Sequence, residues 1–190
     1  MSIQKKEDRR VRYTKAAIRS SFLSLLEEKP LDKISVTDIC KRADINRGTF
    51  YSHYSDPYDL KDKLERQLVE VLEQQIRDLH TERLSTAQTL TLLKDNQELC
   101  RIFCGPYGDK EGMLVLVKQQ ADLFFKTHTN YISHLSPEKI HYLRSLMISS
   151  IATAVKLWFD EGMLTPPEEV ADIIDTYCTY GLEAFKKSLY

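Results

Sequence analysis

Apolar residues recur along this chain at intervals of three and four, and no convincing run alternates apolar with polar positions. That periodicity predicts an all-α fold. The first helix is expected to begin near Thr14, a good N-cap. Ile18, Phe22, Leu25 and Leu26 then share one face. It should stop at Lys29-Pro30, because the residue before proline avoids the helical region. A short helix follows over 36–43, with Ser35 or Thr37 near its start and Ile39, Cys40 and Ala43 inward. Asp44-Ile45 is a tight break, and Asn46 caps a second short helix through Tyr54. Asp56-Pro57 pairs an N-cap with proline at the first helical position. It opens a long helix to Leu79, with Leu60, Leu64, Leu68, Leu72, Ile76 and Leu79 among its apolar stripe.

Beyond it, residues 86–94 and 97–104 read as short helices, and Gly105-Pro106-Tyr107-Gly108 as a loop. A longer helix is predicted over 110–130. Another runs from Ser136-Pro137 to Glu161, with Gly162 as its stop. Thr165-Pro166-Pro167-Glu168 supplies a cap, a proline and a capping-box glutamate for a last helix to the C-terminus. The total is about nine helices, with no internal repeat.

Composition narrows the class. The chain has 190 residues, enough to bury a core without a disulfide or metal. The segment MSIQKKEDRRVR has no apolar stretch, so no signal peptide is expected. The longest uncharged stretch in the most apolar region, Ser145 to Val155, has 11 residues. A membrane helix needs about 20, so a protein without membrane contact, in the cytoplasm, is expected. Cys40, Cys100, Cys104 and Cys178 form no CxxC pair and no zinc-ribbon spacing. Free thiols in a reducing compartment, no metal and no cofactor are the reading.

Charge divides the chain. Residues 1–54 carry 12 Lys/Arg against 7 Asp/Glu, and the remainder 15 against 21. A basic N-terminal third on an acidic body places contact with a polyanion in the first part. The expected organisation is therefore an N-terminal unit over 1–55 and a larger helical one over 56–190.

The chemistry concentrates between Ser35 and Leu60. Two short helices joined by a tight turn, on a preceding longer helix, form a helix-turn-helix. Ile45, Phe50 and Tyr54 are spaced to pack inward, which leaves Arg47, Gly48, Thr49, Tyr51 and Ser52 outward. A guanidinium suits a guanine edge, hydroxyls suit several base edges, and glycine permits close approach. The N-terminal end of such a helix enters the major groove. The basic run Lys5-Lys6 to Arg12 could follow a minor groove, or be a solvated tail.

The block Val36-Thr37-Asp38-Ile39, Ala43 to Tyr54 and Asp59-Leu60 resembles the DNA-binding domain of the TetR/AcrR family of transcriptional regulators. The family pattern has a threonine in the second helix and Ala-Gly-Val at the turn. Gly-Thr-hydrophobe-Tyr-x-His-aromatic and a leucine early in the fourth helix follow. The resemblance covers residues 10–62. It implies a homodimer on a palindromic operator in double-stranded DNA. It also implies an all-helical C-terminal domain for dimerisation and for sensing a small-molecule effector. By the same resemblance Arg47, Gly48, Thr49 and Tyr51 contact bases or nearby phosphates. Thr37, Tyr51 and His53 hold phosphates, Ser52 lies on the same face, and Tyr54 packs on the first helix. Two positions depart from the pattern. Asp44 replaces the turn glycine, at small cost. Pro57 stands where the family often has a phosphate-binding lysine, and Lys61 one turn on is a substitute.

The last two helices carry wide apolar faces. Leu143, Met147, Ile151 and Val155 on one, with Ile174, Tyr177, Gly181 and Phe185 on the other, are the candidate dimer interface. The alternative is that the whole stripe is intramolecular core. Phe103, Tyr107, Phe124, Phe125, Tyr131, Tyr142, Trp158 and Phe159 could line an apolar pocket, though aromatics are more often core. Cys100 and Cys104, with His128, His134 or His141, lack diagnostic metal spacing and read as core.

The leading expectation is a homodimeric repressor released by a small molecule, with activator action the other sign. A regulator working through a protein partner is the alternative. An enzyme is not expected, since the chain has no Gly-rich phosphate loop, GxSxG or HExxH.

Overall fold

The computed structural model describes residues 9–79, 84–127 and 132–185, without the side chains at 115, 116, 119, 120, 123, 124 and 127. These residues form nine α-helices and a 3-10 turn over Leu31–Lys33. In chain order they are α1 (Arg9–Glu28), α2 (Val36–Ala43), α3 (Arg47–Tyr51), α4 (Pro57–Asp78) and α5 (Thr86–Asp95). Then come α6 (Gln97–Cys104), α7 (Lys110–Thr127), α8 (Pro137–Asp160) and α9 (Pro167–Glu183).

The chain groups into two compact units. One takes the residues up to Gln67 together with Glu98–Gly108; the other takes Leu68–Gln97 and the residues from Asp109 onward. The division falls inside α4, so the first half of α4, and α6, group with the N-terminal helices.

In the first unit Ile18, Phe22, Ile39, Phe50 and Leu60 are fully buried. They are the apolar positions that periodicity turns inward. α1 starts at Arg9, five residues before Thr14. Thr14 lies inside the helix, where its hydroxyl donates to the Arg10 carbonyl at 3.0 Å and caps nothing. Arg42 on α2 grips Glu28 at the end of α1 with two hydrogen bonds, of 2.8 and 3.0 Å, and donates to Ser24 at 2.9 Å. That hydrogen bond, with the Arg42 charge, holds the Glu28 carboxyl below its ordinary range. α6 is tied to α1 by Arg19–Glu98 (3.0 Å) and Arg101–Glu27 (3.1 Å). Both pairs are partly exposed and worth little individually. Leu99, Ile102 and Phe103 of α6 are buried.

In the second unit α5 packs on α9, α7 on α8, and α8 on α9. Arg144 of α8 reaches Asp122 of α7 at 2.8 Å and lies 5.1 Å above the Phe125 ring. Gly162 ends α8 with φ +75°, as its position predicts. The cap expected before α9 differs. Pro166 occupies the cap position and no side chain caps the helix. The Thr165 carbonyl instead accepts the indole N–H of buried Trp158 at 2.9 Å.

Candidate nucleic-acid interface

α2 begins with a closed cap. The Asp38 N–H donates to Ser35 Oγ at 3.2 Å, and the Ser35 N–H donates to Asp38 Oδ2 at 2.9 Å. This backbone donor, the Lys29 ammonium at 2.9 Å and the Ser35 hydroxyl hold the Asp38 carboxyl down to about 2. α2 ends at Asp44, in the left-handed region with φ 51° and ψ 51°. The residue that replaces the expected glycine therefore adopts the glycine-like conformation, which Asp tolerates better than most.

Asn46 then caps α3. Its Oδ1 accepts the Thr49 N–H at 2.8 Å and the Thr49 hydroxyl at 3.1 Å. α3 ends at Tyr51, shorter than the predicted reach to Tyr54. Past that point Ser52 Oγ donates to the Thr49 carbonyl at 2.7 Å, and the chain turns through Ser52 and His53. Phe50 is the anchor, with no exposed surface. Tyr51 stands edge-on to it, with ring centroids 5.8 Å apart, and keeps 57% of its surface exposed.

Thr37, Arg47, Gly48, Tyr51 and Ser52 are all exposed, and Thr49 and His53 are half-buried. Arg47 Nη2 donates to Thr37 Oγ1 at 2.7 Å, so the first residue of α3 is braced by α2. A ten-residue separation leaves no periodic signal, and sequence reasoning missed this contact. Gly48 has a local reason to be glycine. A Cβ there would lie 3.3 Å from the capping Oδ1 of Asn46 and press on the cap.

Tyr54 belongs to the support of this face and not to the face itself. It is buried, 5.7 Å from the Phe50 ring, with the Lys63 ammonium 5.1 Å above its own ring. Lys63 also pairs with Asp59 at 2.8 Å and donates to the His53 carbonyl at 3.1 Å. Asp56 caps α4 by accepting the Asp59 N–H at 2.8 Å. Pro57 is buried, and Lys61, the substitute expected for the missing lysine, pairs with Glu65 at 2.6 Å. Lys5 and Lys6 lie outside the described residues, and Arg9 to Arg12 are helical.

The second unit separates two faces that the sequence merged. Met147, Val155 and Ile174 are buried and line a cavity of about 110 Å³, with Ile151, Leu90 and Phe125 among its other walls. They face the interior, not the surface. Leu143 and Gly181 are half-buried, and Tyr177 and Phe185 are exposed. The exposed apolar stripe runs one position aside: Tyr142, Leu146 and Leu157 on α8, and Ile173, Tyr177 and Tyr180 on α9. Ser150 and Tyr177 hydroxyls join the two stripes at 3.2 Å. Gly181 borders them, and a Cβ there would meet nothing within 4 Å.

Of the described aromatic candidates only Phe125 lines the cavity. Phe103 and Trp158 are buried elsewhere, Phe159 is half-buried, and Tyr107 and Tyr142 are exposed. Tyr131, His128 and the side chain of Phe124 lie outside the described residues. Cys100 and Cys104 are buried, and burial pushes the Cys100 thiol strongly up. Among the described residues no three His, Cys, Asp or Glu side chains gather as a metal site, and no helix is long and apolar enough to cross a membrane.

Two family models match the chain. One, described as bacterial regulatory proteins of the tetR family, matches residues 18–60. The other, described as a transcriptional regulator C-terminal region, matches residues 84–180. An uncharacterised HTH-type transcriptional regulator of Bacillus subtilis strain 168, YxbF, is 25% identical over 182 residues. That alignment takes 88% of this chain but 45% of the relative, so the chain spans less than half of that protein's length. Among solved structures, a TetR transcriptional regulator from Streptococcus agalactiae 2603V aligns with TM-score 0.61 and 25% identity, covering 95% of this chain and 98% of that one. The fatty acid degradation regulator FadR from Bacillus halodurans aligns at 0.55 with 13% identity, over 97% and 100% of the two chains. The dihydroxyacetone kinase operon activator DhaS aligns at 0.51 with 20% identity, over 92% and 98%. These last two likenesses are of fold.

Proposed function

The chain belongs to the TetR family of DNA-binding transcriptional regulators, and we propose that it works as a homodimeric repressor, released from a palindromic operator by a small-molecule effector. Members of this family are transcription factors and not enzymes. The observation that carries the reading is the α3 face. Arg47, braced by Thr37, and Tyr51, propped on buried Phe50, stand exposed on a five-residue helix whose register is fixed by caps at both its own start and that of α2. Exposed side chains on a rigid frame are what base and phosphate contact requires.

The stripe on α8 and α9 supports the dimer. Glycine inside a helix costs about 1 kcal/mol relative to alanine, and no contact with the described residues explains Gly181. A second copy packed helix against helix would use both the stripe and the glycine. The two α3 helices of such a dimer would reach half-sites one turn of DNA apart, about 34–36 Å. The apolar cavity supports an effector. A ligand that prefers one spacing of the heads shifts the population between them. The chain would act on the chromosome, in the cytoplasm.

The test is selection of bound genomic fragments by the purified chain, with hits titrated at two salt concentrations. Arg47→Ala and Tyr51→Ala should each weaken the selected palindrome by roughly 1–3 kcal/mol. Unchanged affinity in both would remove α3 from the interface. A promoter fusion carrying the palindrome reads the sign of control. A second reading, regulation through a protein partner, is favoured by the start of α4, where Pro57 is buried and Lys61 is engaged by Glu65. It predicts only weak, sequence-blind binding that salt abolishes.

A further inference from the structure

The polar edge of the cavity in the second unit has an unusual polarity. Of its described lining side chains only Thr86, Thr89, Asp175 and Cys178 are not hydrocarbon or thioether. Each hydroxyl proton is already committed. Thr86 Oγ1 donates to Asp175 Oδ1, and Thr89 Oγ1 donates to the Ser85 carbonyl at 3.0 Å. The carboxylate of Asp175 only accepts. Cys178 is buried, and desolvation together with the Asp175 charge pushes its thiol up to about 11, so it remains a neutral, weakly donating S–H. No Lys, Arg, His, Asn, Gln, Tyr or Trp is among these described lining residues. Among the described lining residues the edge therefore offers lone pairs and one negative charge, and no strong donor.

We infer that this cavity takes a small apolar molecule bearing a single hydrogen-bond donor, an amine or a hydroxyl, and rejects the carboxylate of the same size. The inference rests on the effector reading and names the chemistry of that effector. Size follows from the volume. The cavity measures about 110 Å³, and a dry apolar cavity of about 150 Å³ admits benzene, so one six-membered ring is the scale. Polarity follows from the edge. An N–H or O–H reaching Asp175 makes a charge-assisted hydrogen bond. A carboxylate there would face a like charge, with no donor among the described lining residues in return.

The full chain should be titrated calorimetrically with toluene, phenol, benzylamine and benzoate. Benzylamine and phenol should bind at least about tenfold more tightly than benzoate. Asp175 is exposed, and Asp175→Asn should leave the fold intact. It should remove most of the benzylamine advantage and raise benzoate affinity, because the amide adds a donor. Ala121→Phe, a cavity-filling change checked by circular dichroism, should weaken all binders together. Benzoate binding as tightly as benzylamine, a preference unchanged in Asp175→Asn, or no binding by any of the four would each overturn the inference. The same compounds should then be added to the operator complex. Benzylamine that binds with this preference but releases no DNA would sink the effector reading and leave the ligand chemistry standing. Benzoate that releases DNA where benzylamine does not would sink the ligand chemistry alone.

Discussion

Replacing Leu146 with alanine should weaken the proposed dimer about a hundredfold while leaving the folded protomer almost untouched. Leu146 keeps 63% of its surface exposed, at the centre of the α8 stripe. Alanine removes three carbons, each worth about 0.8 kcal/mol when fully buried. Scaled by the fraction left for a partner to cover, the loss is about 1.5 kcal/mol per copy. A twofold interface contains the residue twice, so the dimer loses about 3 kcal/mol, or roughly a hundredfold in dissociation constant. Sedimentation equilibrium across a micromolar concentration series reads this directly, and thermal melting of the diluted monomer reads fold integrity. Leu164 is the control. It is 83% exposed but lies in the turn before α9, off the stripe, so Leu164→Ala should change neither reading. A dimer as tight in Leu146→Ala as in the wild type, or the same loss in Leu164→Ala, would refute the assignment of this face.

Two further predictions concern the frame of the helix-turn-helix. The Asp38 carboxyl is held down to about 2, mainly by the Ser35 N–H and then by Lys29. An unfolded aspartate titrates near 4, so this stabilisation is complete above that pH and drains away as pH falls from about 4 towards 2. Urea midpoints of the wild type and Asp38→Asn should therefore differ at pH 6, draw together below pH 4 and converge only as pH falls through about 2. Asp44 adopts φ 51°. Asp44→Gly should hold or slightly raise the melting temperature, while Asp44→Val should lose about 1–2 kcal/mol by forcing a β-branched residue into the left-handed region.

Where a local rule was sufficient, the sequence and the structure agree closely. The caps at Ser35 and Asn46, the break at Asp44, the start at Pro57 and the stop at Gly162 all depend on neighbours within a few residues. The exceptions have local competitors that the rules leave unranked. Thr14 is a good cap by type, but the arginines before it are good helix formers and carry α1 back to Arg9. Thr165 could cap α9 by type, yet Pro166 stands in the cap position. Contacts between elements were illegible for a different reason. Nothing in spacing brings Arg47 to Thr37, or Arg19 to Glu98, because those meetings depend on how helices cross and not on their periodicity.

The α8 and α9 faces show the limit most sharply. A helix with apolar residues over half its circumference has one broad stripe in sequence, and period alone cannot divide it. Burial divides it in space. On α8, Met147, Val155 and Trp158 turn inward while Tyr142, Leu146 and Leu157 stay out. On α9, Ile174, Cys178 and Leu182 turn inward while Ile173, Tyr177 and Tyr180 stay out. The outward set lies about a quarter turn from the inward one, a rotation of one residue at about 100°. A sequence reader who picks the most apolar residues selects the cavity wall, since the walls are aliphatic and the outer stripe is rich in tyrosine. Tyrosine can stand in water through its hydroxyl and bury its ring against a partner, which is the property the proposed dimer face requires.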